Sequence, residues 1–139
     1  MNIYHSKYTL LHGSSYDEVV TLARKEFNTI RRMTKRQPYV RSKYFRADKI
    51  FITTFWDHLM KRHRKDRMLR LKFYKAGISL LRNTTEAPET IFDESNKNIL
   101  LHRFYGVTAD GKYFCVQVKE DKRSGRKDFI SVFDRKPKK

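Results

Sequence analysis

Cysteine is nearly missing from this chain: Cys115 stands alone among 139 residues. An internal disulfide is therefore excluded, and so is any metal site built from several thiolates. The usage fits a reducing compartment. Glycine is sparse too. Gly13, Gly77, Gly106, Gly111 and Gly125 are too scattered to form a phosphate-cradling loop or a dinucleotide fingerprint. No apolar run approaches the roughly 20 residues that cross a bilayer. Met1–His12 lacks the apolar core and cleavage signal of a secretory leader. These absences predict a soluble, cytoplasmic protein with no membrane partner. Acidic residues are the other shortage, 15 against 32 Lys and Arg, a formal net charge of +17. Such an excess points to an anionic partner, with nucleic acid ahead of an acidic membrane surface.

What is present argues for a folded domain. Hydrophobic residues make up 39% and aromatics 14%, too many for a disordered chain. The length suits one domain with a real core. We read residues 1–139 as that domain, with residues 1–14 as an N-terminal arm, or a small strand using Tyr4, Tyr8, Leu10 and Leu11, and 135–139 as a basic tail. Ser15 with Glu18 matches a capping box. The helix it opens buries Val19, Val20, Ala23, Phe27 and Ile30 and ends near Arg31–Thr34. Tyr39–Arg46 and Lys49–Thr53 read as extended around a turn at Ala47-Asp48. Both faces of the first mix aromatic and basic residues, the pattern of an edge strand or a surface hairpin rather than a central strand. Thr54 caps a second helix over Phe55–Arg64, and Asp66 a third over Arg67–Arg82. Asn83–Glu94 reads as a turn-rich connection.

The last third carries three strands, Ile99–Val107, Tyr113–Glu120 and Lys127–Asp134. Ala109-Asp110-Gly111 and Arg123-Ser124-Gly125 separate them, each suited to a three-residue hairpin loop closed by a left-handed Gly. That register pairs Phe104 with Val116 and Val118 with Ile130. One face then holds Leu100, His102, Phe104, Phe114, Val116, Val118, Ile130 and Val132, a core face. The other holds Arg103, Tyr105, Tyr113, Cys115, Gln117, Lys119, Phe129, Ser131 and Phe133. Aromatics interleaved with cations on a flat sheet suit single-stranded RNA, which stacks its bases and pairs its phosphates. The expected fold class is α+β: helices packed on one face of an antiparallel sheet of about four strands, ending in a three-strand meander.

The histidines are weighed by position. His58 and His63 are about 140° apart around a helix, poorly placed to share a metal, and no metal site is expected. His58 lies on the helix flank beside Arg62, a place for a partly exposed general base. His63 falls on the apolar stripe with Phe55, Trp56, Leu59 and Met60. It reads either as a core histidine bonded to a carbonyl or as a group pointed across the helix–sheet junction. His102 falls on the core face, and Cys115 reads as a buried structural thiol.

Ile50–Asp134 resembles the barnase–EndoU–colicin–RelE superfamily of small ribonucleases, especially its phage-associated nuclease branch. The resemblance rests on Trp56, His58 and Leu59 with Arg62-His63, on Leu80-Leu81-Arg82-Asn83, and on the terminal strands. In those it rests on His102-Arg103-Phe104, Asp110-Gly111-Lys112, Phe114–Val118 and Phe129-Ile130-Ser131. It implies a toxin-type endoribonuclease that needs no metal or cofactor and cleaves by attack of a ribose 2′-hydroxyl on the adjacent phosphate. We expect His58, His63, Arg103 and Ser131 to be catalytic. We expect Arg62, Arg67, Tyr105, Gln117, Lys119, Phe129 and Phe133 to hold RNA. An acidic antitoxin or immunity protein would be the second partner. The alternative is a non-catalytic RNA- or ribosome-binding module using the same basic, aromatic sheet face.

Overall fold

The Ser15 hydroxyl accepts a hydrogen bond from the Glu18 N–H at 3.2 Å and so opens helix α1, Tyr16–Met33. Val19, Ala23, Phe27 and Ile30 line one stripe of α1 and all are buried. The computed structural model describes residues 2–138; Met1 and Lys139, the outer ends of the expected arm and tail, lie outside the described residues.

The expected sheet of about four antiparallel strands is corrected to a larger, mixed one. Among the described residues seven strands form a single sheet. They are β1 (Tyr4–His5), β2 (Tyr39–Ser42), β3 (Asp48–Phe51), β4 (Glu89–Asp93), β5 (Asn96–Val107), β6 (Tyr113–Asp121) and β7 (Lys127–Asp134). The order is β1-β5-β6-β7-β3-β2, with β4 also paired to β5. β1 runs parallel to β5 and β3 parallel to β7; the other pairings are antiparallel. The N-terminal stretch therefore lies against the sheet, and the Ser6 N–H continues the β1 ladder to Val107 O at 2.9 Å. β4 lies inside the stretch read as a connection. Its five residues alternate half-buried and exposed, a period-2 signal too short to outweigh Pro88 just before it.

Two helices are expected after β3, and three are found among the described residues. Helix α2 is short, Thr54–Leu59. The long helix breaks at Phe73, whose φ −89° and ψ 0° interrupt the spiral. It divides into α3 (Arg64–Lys72) and α4 (Tyr74–Asn83). α4 crosses the core face of the sheet. A Cβ built on its Gly77 would stand 3.6 Å from both Val116 and Val132. Phe55 and Trp56 of α2, Tyr74 of α4 and Phe129 of β7 form an aromatic knot beneath α1.

The meander has the expected strands, and β5 pairs with β6 in the expected register, Phe104 opposite Val116. The first hairpin closes as expected, with the Thr108 N–H on Lys112 O at 2.9 Å and Gly111 at φ 84°. The second differs. Asp121, not Lys122, bonds to Arg126, so the loop is one residue longer and Val118 faces Phe129 rather than Ile130. A β-bulge opposite Gln117/Val118 then restores the expected register, with Gln117 opposite Ser131. Ile130 is the extra residue of that bulge. Phe129 turns into the core as a result, and everything from Ser131 onward keeps its expected face.

Candidate functional site

α2 and α3 lie against β7 beyond the point where β3 leaves it, since β3 and β7 pair only at Phe51 and Asp128. Between these helices and the outer face of β6–β7 is a cleft of about 380 Å³. Phe55, Leu59 and Ile130 supply its apolar lining, and His58, Arg62, Arg70, Gln117, Ser131 and Phe133 its polar and aromatic lining. The sequence pattern explains the placement. Phe55 and Leu59 are neighbours on one side of α2 and anchor it in the core. His58, next to Leu59, is carried to the rim.

Arg70 organises the cleft. Its Nη1 donates to Ser131 Oγ at 2.6 Å, and its Nε donates to the Asp66 carboxylate at 3.1 and 3.2 Å. The guanidinium also lies 5.5 Å from the Phe133 ring centroid. Asp66 reaches Arg62 as well, at 3.9 Å. One carboxylate thus holds two arginines on one wall. Because Ser131 Oγ accepts from Arg70, its own hydroxyl proton is left to donate outward.

His58 carries a pKa pushed below its ordinary 6.5, first by partial burial, then by the nearby charges of Lys61 and Lys119. Asp57 opposes that shift and Arg62 adds to it. A lowered pKa keeps the imidazole neutral at neutral pH, the form that can accept a proton.

Of the residues expected to act on RNA, the cleft gathers His58, Arg62, Gln117, Ser131 and Phe133. Lys119 stands close enough to bear on His58. Arg103 is one step away: its Nε donates to Gln117 Oε1 at 3.4 Å, and its guanidinium lies 3.8 Å from Glu89. Four assignments are corrected. His63 lies past the end of α2, exposed, as the residue that precedes α3. α2 ends too early for His63 to share its apolar stripe. Arg67 turns back onto the chain, donating to Arg62 O at 2.7 Å and Met60 O at 2.9 Å, so it satisfies carbonyls left open at the end of α2. Tyr105 is buried, with only 6% of its surface exposed. Phe129 is fully buried and stacks on Phe55, centroids 4.7 Å apart at 12°. The RNA-stacking surface expected from the sheet therefore lacks two of its aromatics. Arg70 is the cleft residue the sequence reading missed. Its signal was the spacing Arg62–Asp66–Arg70, an i, i+4 ladder that reads as helix surface until β7 is placed beside it.

A second polar array lies on the inner face. His102 Nε2 meets Glu120 Oε1 at 2.7 Å, and His102 Nδ1 meets Thr90 Oγ1 at 2.8 Å. Lys127, 3.8 Å from Glu120, donates to Asp48 at 2.7 Å and lies 4.9 Å from the Phe45 ring centroid. Phe45 and Phe104 cover His102. This array ties β4, β5, β6, β7 and β3 together, and His102 is the core histidine its position predicted. Cys115 is fully buried, and burial pushes its thiol up to about 12. Among the described residues no three His, Cys, Asp or Glu side chains gather in a way that could hold a metal ion. No helix among them is long and apolar enough to cross a membrane. No family model, curated protein or solved structure matches the chain.

Proposed function

We propose that the α2–β7 cleft cleaves RNA, as an endoribonuclease of the toxin type that the superfamily resemblance implies, acting in the cytoplasm. The observation that carries this reading is the meeting, in one cleft, of the His58 imidazole with two guanidiniums tethered by Asp66. In the proposed reaction His58 takes the proton of a ribose 2′-hydroxyl. The 2′-oxygen attacks the adjacent phosphorus, and the bond to the 5′-oxygen of the next nucleotide breaks. Arg62 and Arg70 hold the phosphate as its negative charge builds, and the Ser131 hydroxyl donates to one of its oxygens. These cations supply the charge stabilisation that a metal would otherwise give. The departing 5′-oxygen takes its proton from solvent, since His63, also expected to be catalytic, stands outside the cleft. The products are a 2′,3′-cyclic phosphate and a 5′-hydroxyl.

The test is single-turnover cleavage of bulk RNA in EDTA with analysis of the ends. His58→Ala should lower the rate by about 10²-fold or more, the contribution of one positioned acid–base group, while RNA affinity changes little. The parent's rate should fall on the acid side through a pKa below the ordinary histidine value. Ends bearing a 5′-phosphate, or a His58→Ala variant as fast as the parent, would sink the assignment. The displacement of His63 favours one second reading, an RNA- or ribosome-binding module that uses the cleft without chemistry. In either reading the +17 charge suits an acidic inhibitor protein as a further partner.

A further inference from the structure

The outer face of the β2–β3 hairpin is not accounted for by the cleft. Tyr39 and Phe51 are register partners on that face, with ring centroids 6.2 Å apart at 71°. Their neighbours Val40 and Ile50 point inward and are buried. Both rings remain half-exposed, and each already carries a cation. Lys49 Nζ lies 4.6 Å from the Tyr39 centroid and the Arg126 guanidinium 4.2 Å from that of Phe51. Lys35, Arg36, Gln37, Tyr39, Lys49 and Phe51 line a hollow here that contains no acidic side chain. Arg36 is held there at φ 60°, a left-handed conformation that non-glycine residues adopt at a cost and that concentrates at ligand sites. Asp128, the register partner of Phe51, accepts from Arg126 at 3.1 Å.

We propose that this platform binds single-stranded nucleic acid, bases stacking on Tyr39 and Phe51 and phosphates meeting Lys49, Arg36 and Lys35. Half-exposed rings interleaved with cations match a strand whose bases are free and whose backbone is anionic. A duplex hides its base faces, and an acidic protein would have no need of two upright rings. The platform and the cleft share one sheet face. Phe51 is paired with Asp128 and Asp128 with Lys119, and the charge of Lys119 reaches His58. Phe51 and Lys119 are therefore about 10 Å apart, two strand spacings, so one strand can lie across both. The inference takes its ligand class from the cleft reading and adds a binding segment to it.

The test uses the full chain and a fluorescein-labelled single-stranded DNA 12-mer, read by anisotropy. DNA lacks the 2′-hydroxyl, so binding is separated from cleavage. The Tyr39→Ala/Phe51→Ala variant should bind about tenfold or more weaker than the parent, since each stacked base contributes on that scale. Lys49→Ala, an exposed position, serves if the double variant fails to fold, and should weaken binding and flatten its salt dependence. Parent-like binding by a folded double variant, or by Lys49→Ala where the double variant does not fold, overturns the platform and leaves the cleft reading standing. Equal binding of the 12-mer and its duplex overturns it as well. A parent that cleaves RNA only when Tyr39 and Phe51 are intact supports both; a parent that binds the strand but never cleaves retains the platform and removes the enzyme.

Discussion

Phe129 and Phe133 stand on the same strand, and the sequence pattern assigns both to RNA. The structure separates them, and a pair of truncations tests the separation. Phe129 is fully buried against Phe55. Removing a buried phenyl ring costs about 3–5 kcal/mol, because transfer energy is lost and a cavity is left. At a urea m-value of about 1–3 kcal/mol/M, a 3 kcal/mol loss lowers the unfolding midpoint by about 1–3 M. The cavity would open directly beneath the cleft, since Phe55 lines it, so cleft function should fall along with stability. Phe133 is half-buried at the cleft, with Arg70 over its face. Phe133→Ala removes one cation–π contact, a loss of about 1 kcal/mol or less at such a site. Its RNA affinity should drop about fivefold or more if a base stacks there. Urea titrations by circular dichroism and filter binding on the same preparations decide the matter. A Phe129→Ala protein with the parent's midpoint and weakened RNA binding would mean that the bulge is misplaced and the ring faces outward.

Three further outcomes follow from packing and charge. Gly106→Ala should destabilise by about 1–3 kcal/mol, because the new methyl would stand 2.7 Å from the Phe114 ring and 3.0 Å from Leu80, both fully buried; a raised melting temperature would refute that packing. The Cys115 thiol, pushed up to about 12 by burial, should resist a thiol reagent at pH 8 until urea is added, and prompt labelling of the folded protein would contradict its burial. Asp48 is held below its ordinary 3.8, chiefly by its hydrogen bond from Lys127, so its share of stability is complete above that value and lost as the pH falls below it. Asp48→Asn should be less stable at pH 7 and lose less on acidification; identical acid profiles for variant and parent would show that the pair does nothing.

Local pattern was enough for a good part of this molecule. The apolar stripe of α1, its Ser15 cap, the edge position of β2 and the register of β5 on β6 all follow from periods and turn residues close in sequence. So does the company of His58, Arg62, Gln117, Ser131 and Phe133, once a helix flank is laid against a sheet face. What depended on distant chain segments was not legible there. β1 and β3 join the sheet in parallel, and a parallel partner leaves no turn in the sequence to announce it. The bulge at Ile130 moves Phe129 from the outer face to the core, because one inserted residue reverses every side chain until the register recovers. The early end of α2 removes His63 from the cleft and turns Arg67 back onto α2's carbonyls. Arg70 gains its place only because Ser131 and Phe133 arrive from β7, 61 residues on in the case of Ser131. Periodicity says which faces are apolar; the packing of one element on another decides which polar groups meet, and that meeting is what makes the cleft.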